Sequence, residues 1–420
     1  MPEVTGIAPY NAALCEYLHR SGHSVRMITS FPYYPAWEKL PTERRLLART
    51  DDVDGVAVHR CWHYVPKNVT TLRRVWHEAS FVLASFIRQI FLSRPDLLVV
   101  VSPPLLLGPA AWLLSKLKRT PFVFHVQDLQ PDAAAGLGMV KAGAMLSALR
   151  WVESFAYRKA RLVSGITPGM IQSFQKKGVP RDKCVYFPNG VRIPDFWRLS
   201  ERGVWRKAHG FRDDDLLVVY SGNIGRKQGL DALLHAASVV EDARIRFLLC
   251  GDGADLDRLK QLARELALAN VTFLPLQPEV RYRELLADAD LSVIPQRSGS
   301  GSCFFPSKLL ATLAHNCPVL AITDSDTELA RAVEEGRFGK VVSPDSPGGI
   351  AEALHAITRN AEELKAMGRA GFKFVKSFEL DSVLADYTSL LAELIPGQKN
   401  AAGGKPAARE QGQKPTANSF

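Results

Sequence analysis

Runs rich in Val, Ile, Leu and Phe recur at residues 24–29, 56–61, 97–101, 121–126, 162–166 and 183–187. Between them the apolar positions repeat at three and four residues, as on one side of a helix; the stretch 10–21, closed by Gly22, is an example. The scheme returns at 216–221, 245–250, 271–274, 291–294 and 319–322, with helical stretches such as 229–240 and 255–267 between the runs. Short buried strands joined by helix-length crossovers predict parallel sheets wound on both faces, twice over. A turn signal at Pro188-Asn189-Gly190 ends the first set, so the domains are read as 1–190 and 191–395. Residues 396–420, rich in Gly, Ala, Lys and Pro, are expected to be a disordered tail. A doubly wound domain opens with a buried strand before its first glycine turn, yet Gly6 arrives after five residues, so the opening strand is expected to be missing or replaced.

The length of 420 residues suits two cores, and 46% hydrophobic with 23% charged residues is a globular composition. Cys15, Cys61, Cys184, Cys250, Cys303 and Cys317 are scattered without CxxC spacing, which reads as a reduced, cytoplasmic protein. The uncharged stretch 97–115 is broken by Pro103, Pro104 and Pro109 and reads as strand, turn and helix, not as a membrane span. No signal peptide pattern opens the chain. Charge changes the picture more. Residues 1–200 hold 26 Lys and Arg against 14 Asp and Glu, whereas 201–395 hold 23 against 28. A basic first domain attracts nucleic acid, anionic lipid or an acidic substrate. Residues 72–91, mixing aromatics with Arg, read as an amphipathic helix and favour the inner face of the plasma membrane; a core helix with a solvated basic edge is the plainer alternative. No base-stacking motif accompanies the charge, which argues against nucleic acid.

Ligands of open parallel sheets bind at the carboxyl ends of strands, where glycine turns let backbone amides meet an anion. Residues 220–229 (YSGNIGRKQG) place Gly222, Asn223 and Gly225 beside Arg226 and Lys227, ahead of a helix. Those two cations suit a diphosphate and the charge that develops on a leaving group, although solvated charges flanking a turn would look the same. The spacing is neither the dinucleotide GxGxxG nor a P-loop. Gly251 and Gly253 of CGDG either admit a base or ribose or make a tight turn. Ser300, Gly301 and Ser302 precede Lys308 in the first turn of a helix, a place where Lys is disfavoured unless an anion binds there.

In the first half, Gly6 and Tyr10 precede and open a helix, and His125-Val-Gln-Asp128 ends a strand with His125 and Gln127 on one face and Asp128 on the other. His125 and Asp128 are candidates for binding or deprotonating an acceptor hydroxyl, with Gln127 and Tyr10 as acceptor contacts. No HExxH is present, and the triplet Asp213–Asp215 precedes a strand and reads as a solvated turn, not as a metal-binding DxD. Neither a metal nor a cofactor is therefore expected, and phosphate charge falls to Arg226, Lys227 and Lys308.

The motifs VTGIAPY, RSGHSVRMIT, HVQDLQPDAA, FPNGVR, SGNIGRKQGLD, CGDG, ADLSVIP and FPSKLL, in this order over residues 1 to 395, resemble the family 4 glycosyltransferases and within them the WcaI/WbuB-like subgroup. The resemblance implies the GT-B fold: two Rossmann-like doubly wound parallel-sheet domains facing across a cleft, with a last helix near 382–394 crossing back to the first domain. It implies retaining, metal-independent transfer of a hexosyl or deoxyhexosyl group from a nucleotide-diphosphate sugar held by the second domain. The acceptor implied is a saccharide or polyprenyl-diphosphate-linked saccharide of surface polysaccharide biosynthesis, with other assembly proteins as partners. Two features depart from the family. Its glutamate pair falls on Cys303 and Ala311, for which Lys308, the 300–302 backbone or Glu328 would substitute, and its strand-end histidine falls on Gln127. An epimerase or phosphorylase on the same scaffold, or a catalytically weak assembly subunit, are the competing readings.

Overall fold

The computed structural model describes residues 6–33, 37–68, 70–136, 143–193, 202–299 and 308–395. Among these the chain enters helix α1 (Ala8–Arg20) two residues after Gly6, with no strand before it. Seven strands follow in the first lobe: β1 (Arg26–Ser30), β2 (Ala48–Val53), β3 (Val56–Cys61), β4 (Leu98–Ser102), β5 (Phe122–Val126), β6 (Leu162–Gly165) and β7 (Cys184–Tyr186). Helices α2 (Thr71–Phe91), α3 (Leu107–Lys118), α4 (Gln130–Gly136), α5 (Ala144–Lys159) and α6 (Pro168–Lys176) connect them.

The first-lobe strands form two sheets, β1-β3-β2 and β4-β5-β6-β7. The second is wholly parallel; in the first, β1 and β3 run parallel and β2 pairs antiparallel with β3. Alternation along β5 sorts its residues: Phe122, Phe124 and Val126 pack under α3, α5 and α6, while Val123 faces α1 and the chain's last helix. β1 and β4 each lie at a sheet edge, and the apolar run Leu98–Val101 is only half-buried, where a parallel strand paired on both sides would be enclosed. β2 was not anticipated from the pattern, because its sequence ARTDDV is a polar hairpin partner and carries no apolar run.

The second lobe holds β8 (Leu216–Ser221), β9 (Ile245–Cys250), β10 (Val271–Leu274), β11 (Leu291–Pro295), β12 (Val319–Ile322) and β13 (Gly339–Val342). Their parallel order, β10-β9-β8-β11-β12-β13, is that of a Rossmann sheet and reverses direction between β8 and β11. Helices α7 (Val204–Ala208), α8 (Leu230–Val239), α9 (Leu256–Glu265), α10 (Glu279–Asp288), α11 (Lys308–Ala314), α12 (Glu328–Gly336), α13 (Pro347–Thr358) and α14 (Ala361–Val375) belong to this lobe. α8, α9 and α13 cover one face, α7, α10, α11 and α12 the other. Asp215, read from sequence as part of a solvated turn, is buried and accepts from the Arg212 amide at 2.8 Å.

The last helix, α15 (Leu380–Ala392), leaves the second lobe at a bridge between Val191 and Glu379 and packs Val383, Leu384, Tyr387 and Leu391 on the first. The Tyr387 ring stacks on Phe187 at 3.7 Å, and its hydroxyl meets Ser164 Oγ at 3.0 Å.

Candidate active site

At the carboxyl ends of β8 and β9 the two glycine turns pack on each other through their backbones. The Gly222 amide donates to Cys250 O at 2.9 Å, and the Ile224 amide to Asp252 O at 2.8 Å. A Cβ on Gly251 would stand 1.9 Å from the Gly222 carbonyl oxygen, and one on Gly253 2.3 Å from that of Ile224. Both glycines therefore serve loop-on-loop packing, the tight-turn alternative read from the sequence. The Gly225 amide is held by Gln228 Oε1 at 3.2 Å, fixing the turn that presents Asn223, Arg226 and Lys227.

The cations of this end differ sharply. Arg226 is 82% exposed and among the described residues ion-pairs only with Asp255, at 4.0 Å, a carboxylate already gripped by Arg258 through two bonds of 2.7 Å. Lys308, at the start of α11, lies with its ammonium 3.9 Å from the centre of the Tyr220 ring, beside Gly222. Tyr220 is fixed in turn by its hydroxyl, which donates to Asn223 O at 2.5 Å. Desolvation, and then the nearby charge of Lys227, push Lys308 down to about 7. Two lysines thus share one spot at a strand end, the arrangement that a polyanion relieves.

Asp128 faces them from the first lobe. It stands exposed just past β5, and partial desolvation raises its carboxyl while Lys227, across the cleft, and Arg74, on α2, pull it the other way. Arg74 could not be found from sequence, because its relation to Asp128 exists only once α2 folds over the β5 turn. Gly6 lies at the mouth of α1 with φ +67° and open space around it. Tyr10, one turn further, borders a small cleft with Asn11, His125, Gln127, Asn189 and Gly190 and also lies within electrostatic reach of Tyr282 on α10.

Three further candidates make close contacts within the protein. His125 is 2% exposed; its Nδ1 meets Ser164 Oγ at 2.9 Å and its Nε2 meets Gln127 Nε2 at 2.8 Å. Burial holds it down at about 3, a neutral ring linking β5 to β6 and, through Ser164, to Tyr387. It also lines the small cleft that Tyr10 borders, and its hydrogen bonds there tie the strands together. Gln127, also buried, pairs both ends of its amide with Asn189 at 3.1 Å, bonds His125, and lines the same cleft. Glu328, at the start of α12, sets its carboxylate against Gly169 in the first turn of α6, where a Cβ would lie 1.9 Å from Oε1, with Arg331 at 3.6 Å. Ser300, Gly301, Ser302 and Cys303 lie outside the described residues, while Ala311 is half-buried on α11.

The chain matches two family descriptions, "Glycosyl transferase 4-like domain" over residues 5–190 and "Glycosyl transferases group 1" over residues 201–374. It is 34% identical over 369 residues to the putative colanic acid biosynthesis glycosyl transferase WcaI of Escherichia coli K12, covering 86% of this chain and 89% of that protein. Among solved structures, sucrose-phosphate synthase from Thermosynechococcus elongatus superposes with a TM-score of 0.73 at 19% identity, covering 93% of this chain and 94% of that one. Anabaena HepE in complex with UDP superposes at 0.65 with 15% identity, over 88% of this chain and 100% of the other. With two facing Rossmann-like lobes and both halves matched in order, the chain belongs to the family 4 glycosyltransferases of GT-B fold.

Proposed function

We propose that the protein moves a hexosyl or deoxyhexosyl group, with retention, from a nucleoside-diphosphate sugar to a saccharide or polyprenyl-diphosphate-linked saccharide during surface polysaccharide assembly, working in the cytoplasm against the inner face of the plasma membrane and without a metal. The observation that carries this reading is the Lys308 ammonium, enclosed against Tyr220 and Gly222 and pressed by Lys227, at the carboxyl end of a Rossmann sheet. A donor diphosphate seated there meets two cations in a poorly solvated site, where each interaction is stronger than in water. As the acceptor oxygen bonds to the anomeric carbon, the bond from that carbon to the diphosphate oxygen breaks. Its electron pair goes to that oxygen, which takes the acceptor proton on the same face of the sugar. Lys308 and Lys227 stabilise the departing charge, and Asp128 orients the acceptor hydroxyl from the opposite lobe. WcaI, named for colanic acid, and HepE, which binds UDP, support polysaccharide assembly and a uridine nucleotide among the donors to try first.

Nucleotide release is to be measured with UDP-, GDP- and dTDP-sugars and a polyprenyl-linked acceptor. Lys308→Ala is expected to lower turnover by about 100- to 1,000-fold, and Arg226→Ala, being largely solvated, by about tenfold. A Lys308→Ala enzyme turning over like the unaltered protein would sink the assignment; interconversion of nucleotide sugars with no acceptor present would favour an epimerase instead, and acceptor-independent nucleotide release a hydrolytic activity.

A further inference from the structure

A helix on a protein surface buries its apolar stripe and wets its polar one. α2 does the reverse. The positions it buries carry His77, Ser80 and Ser85. Its exposed positions carry Leu72, Trp76, Leu83, Ile87 and Phe91, whose spacing puts them on one side. Leu72 is 76% exposed and Phe91 80%, so the stripe runs from end to end. The neighbouring helices widen it. α3 lies beside α2, tied by Lys118 Nζ donating to Ile90 O at 2.7 Å, and exposes Leu113 and Leu117. α5 lies beside α3, with Phe155 edge-on to Trp112 at 5.2 Å, and exposes Met145 and Trp151. Folding leaves this three-helix face uncovered, and an apolar surface of such extent marks an interaction site.

Charge selects the occupant. The three helices set exposed Arg73, Arg74, Lys116, Arg119, Arg150 and Lys159 around the apolar positions. Their acidic residues are Glu78, paired with Arg74, and Glu153, buried on Lys177. Two copies meeting through this face would bring like charges together, whereas phospholipid headgroups supply the opposite charge and acyl chains take the apolar side chains.

We propose that the outer face of α2, α3 and α5 docks the first lobe on an anionic phospholipid bilayer. The stripe ends in Leu72 and Trp76, which flank Arg74, and Arg74 acts on Asp128 at the cleft. Docking therefore sets the cleft at headgroup level, where a polyprenyl diphosphate presents its saccharide. That last consequence rests on the proposed function; the docking itself is measured without turnover.

The test is co-sedimentation with vesicles of phosphatidylglycerol and phosphatidylethanolamine, and with phosphatidylcholine vesicles, for the unaltered chain and for Leu83→Glu/Ile87→Glu and Trp151→Glu. The chain is expected to bind the anionic vesicles and to bind phosphatidylcholine at least about tenfold more weakly. Each variant is expected to lose binding at least about tenfold while its melting temperature holds, since these side chains are already in water. If the double glutamate variant fails to fold, Leu83→Ser/Ile87→Ser replaces it with the same expectation. Binding by the variants equal to that of the unaltered chain overturns the proposal. So does a chain that ignores anionic vesicles but is dimeric by light scattering and becomes monomeric in the variants, which would make a second copy the occupant. Turnover of a water-soluble short-chain acceptor, unchanged in the variants, separates failure of docking from failure of the transferase reading.

Discussion

Lys308 sits in surroundings that favour its neutral form, desolvated and beside Lys227, and is held at about 7 in the free protein. A bound diphosphate reverses that preference by favouring the ammonium. Donor binding then takes up a proton above pH 7, and affinity falls as pH rises beyond it, by up to about tenfold per pH unit. Calorimetry of nucleotide binding in buffers of different ionisation enthalpy reads both; donor affinity flat from pH 6 to 9 would remove Lys308 from the phosphate site. His125 titrates in the opposite sense to an activated base. Its folded value of about 3 lies below its ordinary 6.5, so the unfolded chain binds the extra proton, and its contribution is full above pH 6.5 and lost as pH falls toward 3. His125→Asn should flatten that acid limb of stability and leave turnover within about threefold at neutral pH. A large loss of turnover in a stably folded His125→Asn would restore it as a catalytic group.

At the scale of elements, the glycine turns after β8 and β9 act as one unit, because each supplies the wall against which the other closes. Gly251→Ala or Gly253→Ala drives a methyl into a backbone carbonyl that cannot swing away, and should cost about 2 to 4 kcal/mol. Gly6→Ala, in a left-handed turn with space around it, should cost about 1 kcal/mol. Urea unfolding distinguishes them; equal losses would mean that conformation, not contact, selects glycine at 251 and 253. These turns were visible in the sequence as glycines following apolar runs, but their partner was not. A glycine that admits a ligand and one that admits a neighbouring loop leave the same mark, and only the register of β8 on β9 decides between them.

For the whole molecule, α15 is the strap that makes the lobes one body. Its Tyr387 joins the Phe187 ring to the Ser164–His125 chain inside the first lobe. Tyr387→Phe removes one buried hydrogen bond and should cost about 1 kcal/mol, whereas Tyr387→Ala also opens a cavity and should cost about 3 to 5 kcal/mol. Denaturation followed by circular dichroism should then show the first lobe melting ahead of the second. A single unshifted transition for Tyr387→Ala would show that α15 does not stabilise the first lobe. Glu328 makes a second link between the lobes at Gly169.

The alternation of apolar runs with helical stretches was enough by itself to place the strands 56–61, 216–221, 245–250, 271–274 and 319–322 at their observed bounds. Burial on both faces demands continuous apolar runs, and local sequence records that demand. The cation at Lys308 was legible for a similar reason, since a Lys in the first turn of a helix is a local anomaly. What depends on residues far apart in the chain was not. The exposure of Arg226, the burial of His125 and Gln127, the contact of Glu328 with Gly169 and the effect of Arg74 and Lys227 on Asp128 follow from which surfaces the packed lobes bury. Burial, desolvation and charge proximity are properties of three-dimensional distance, and no local pattern encodes them.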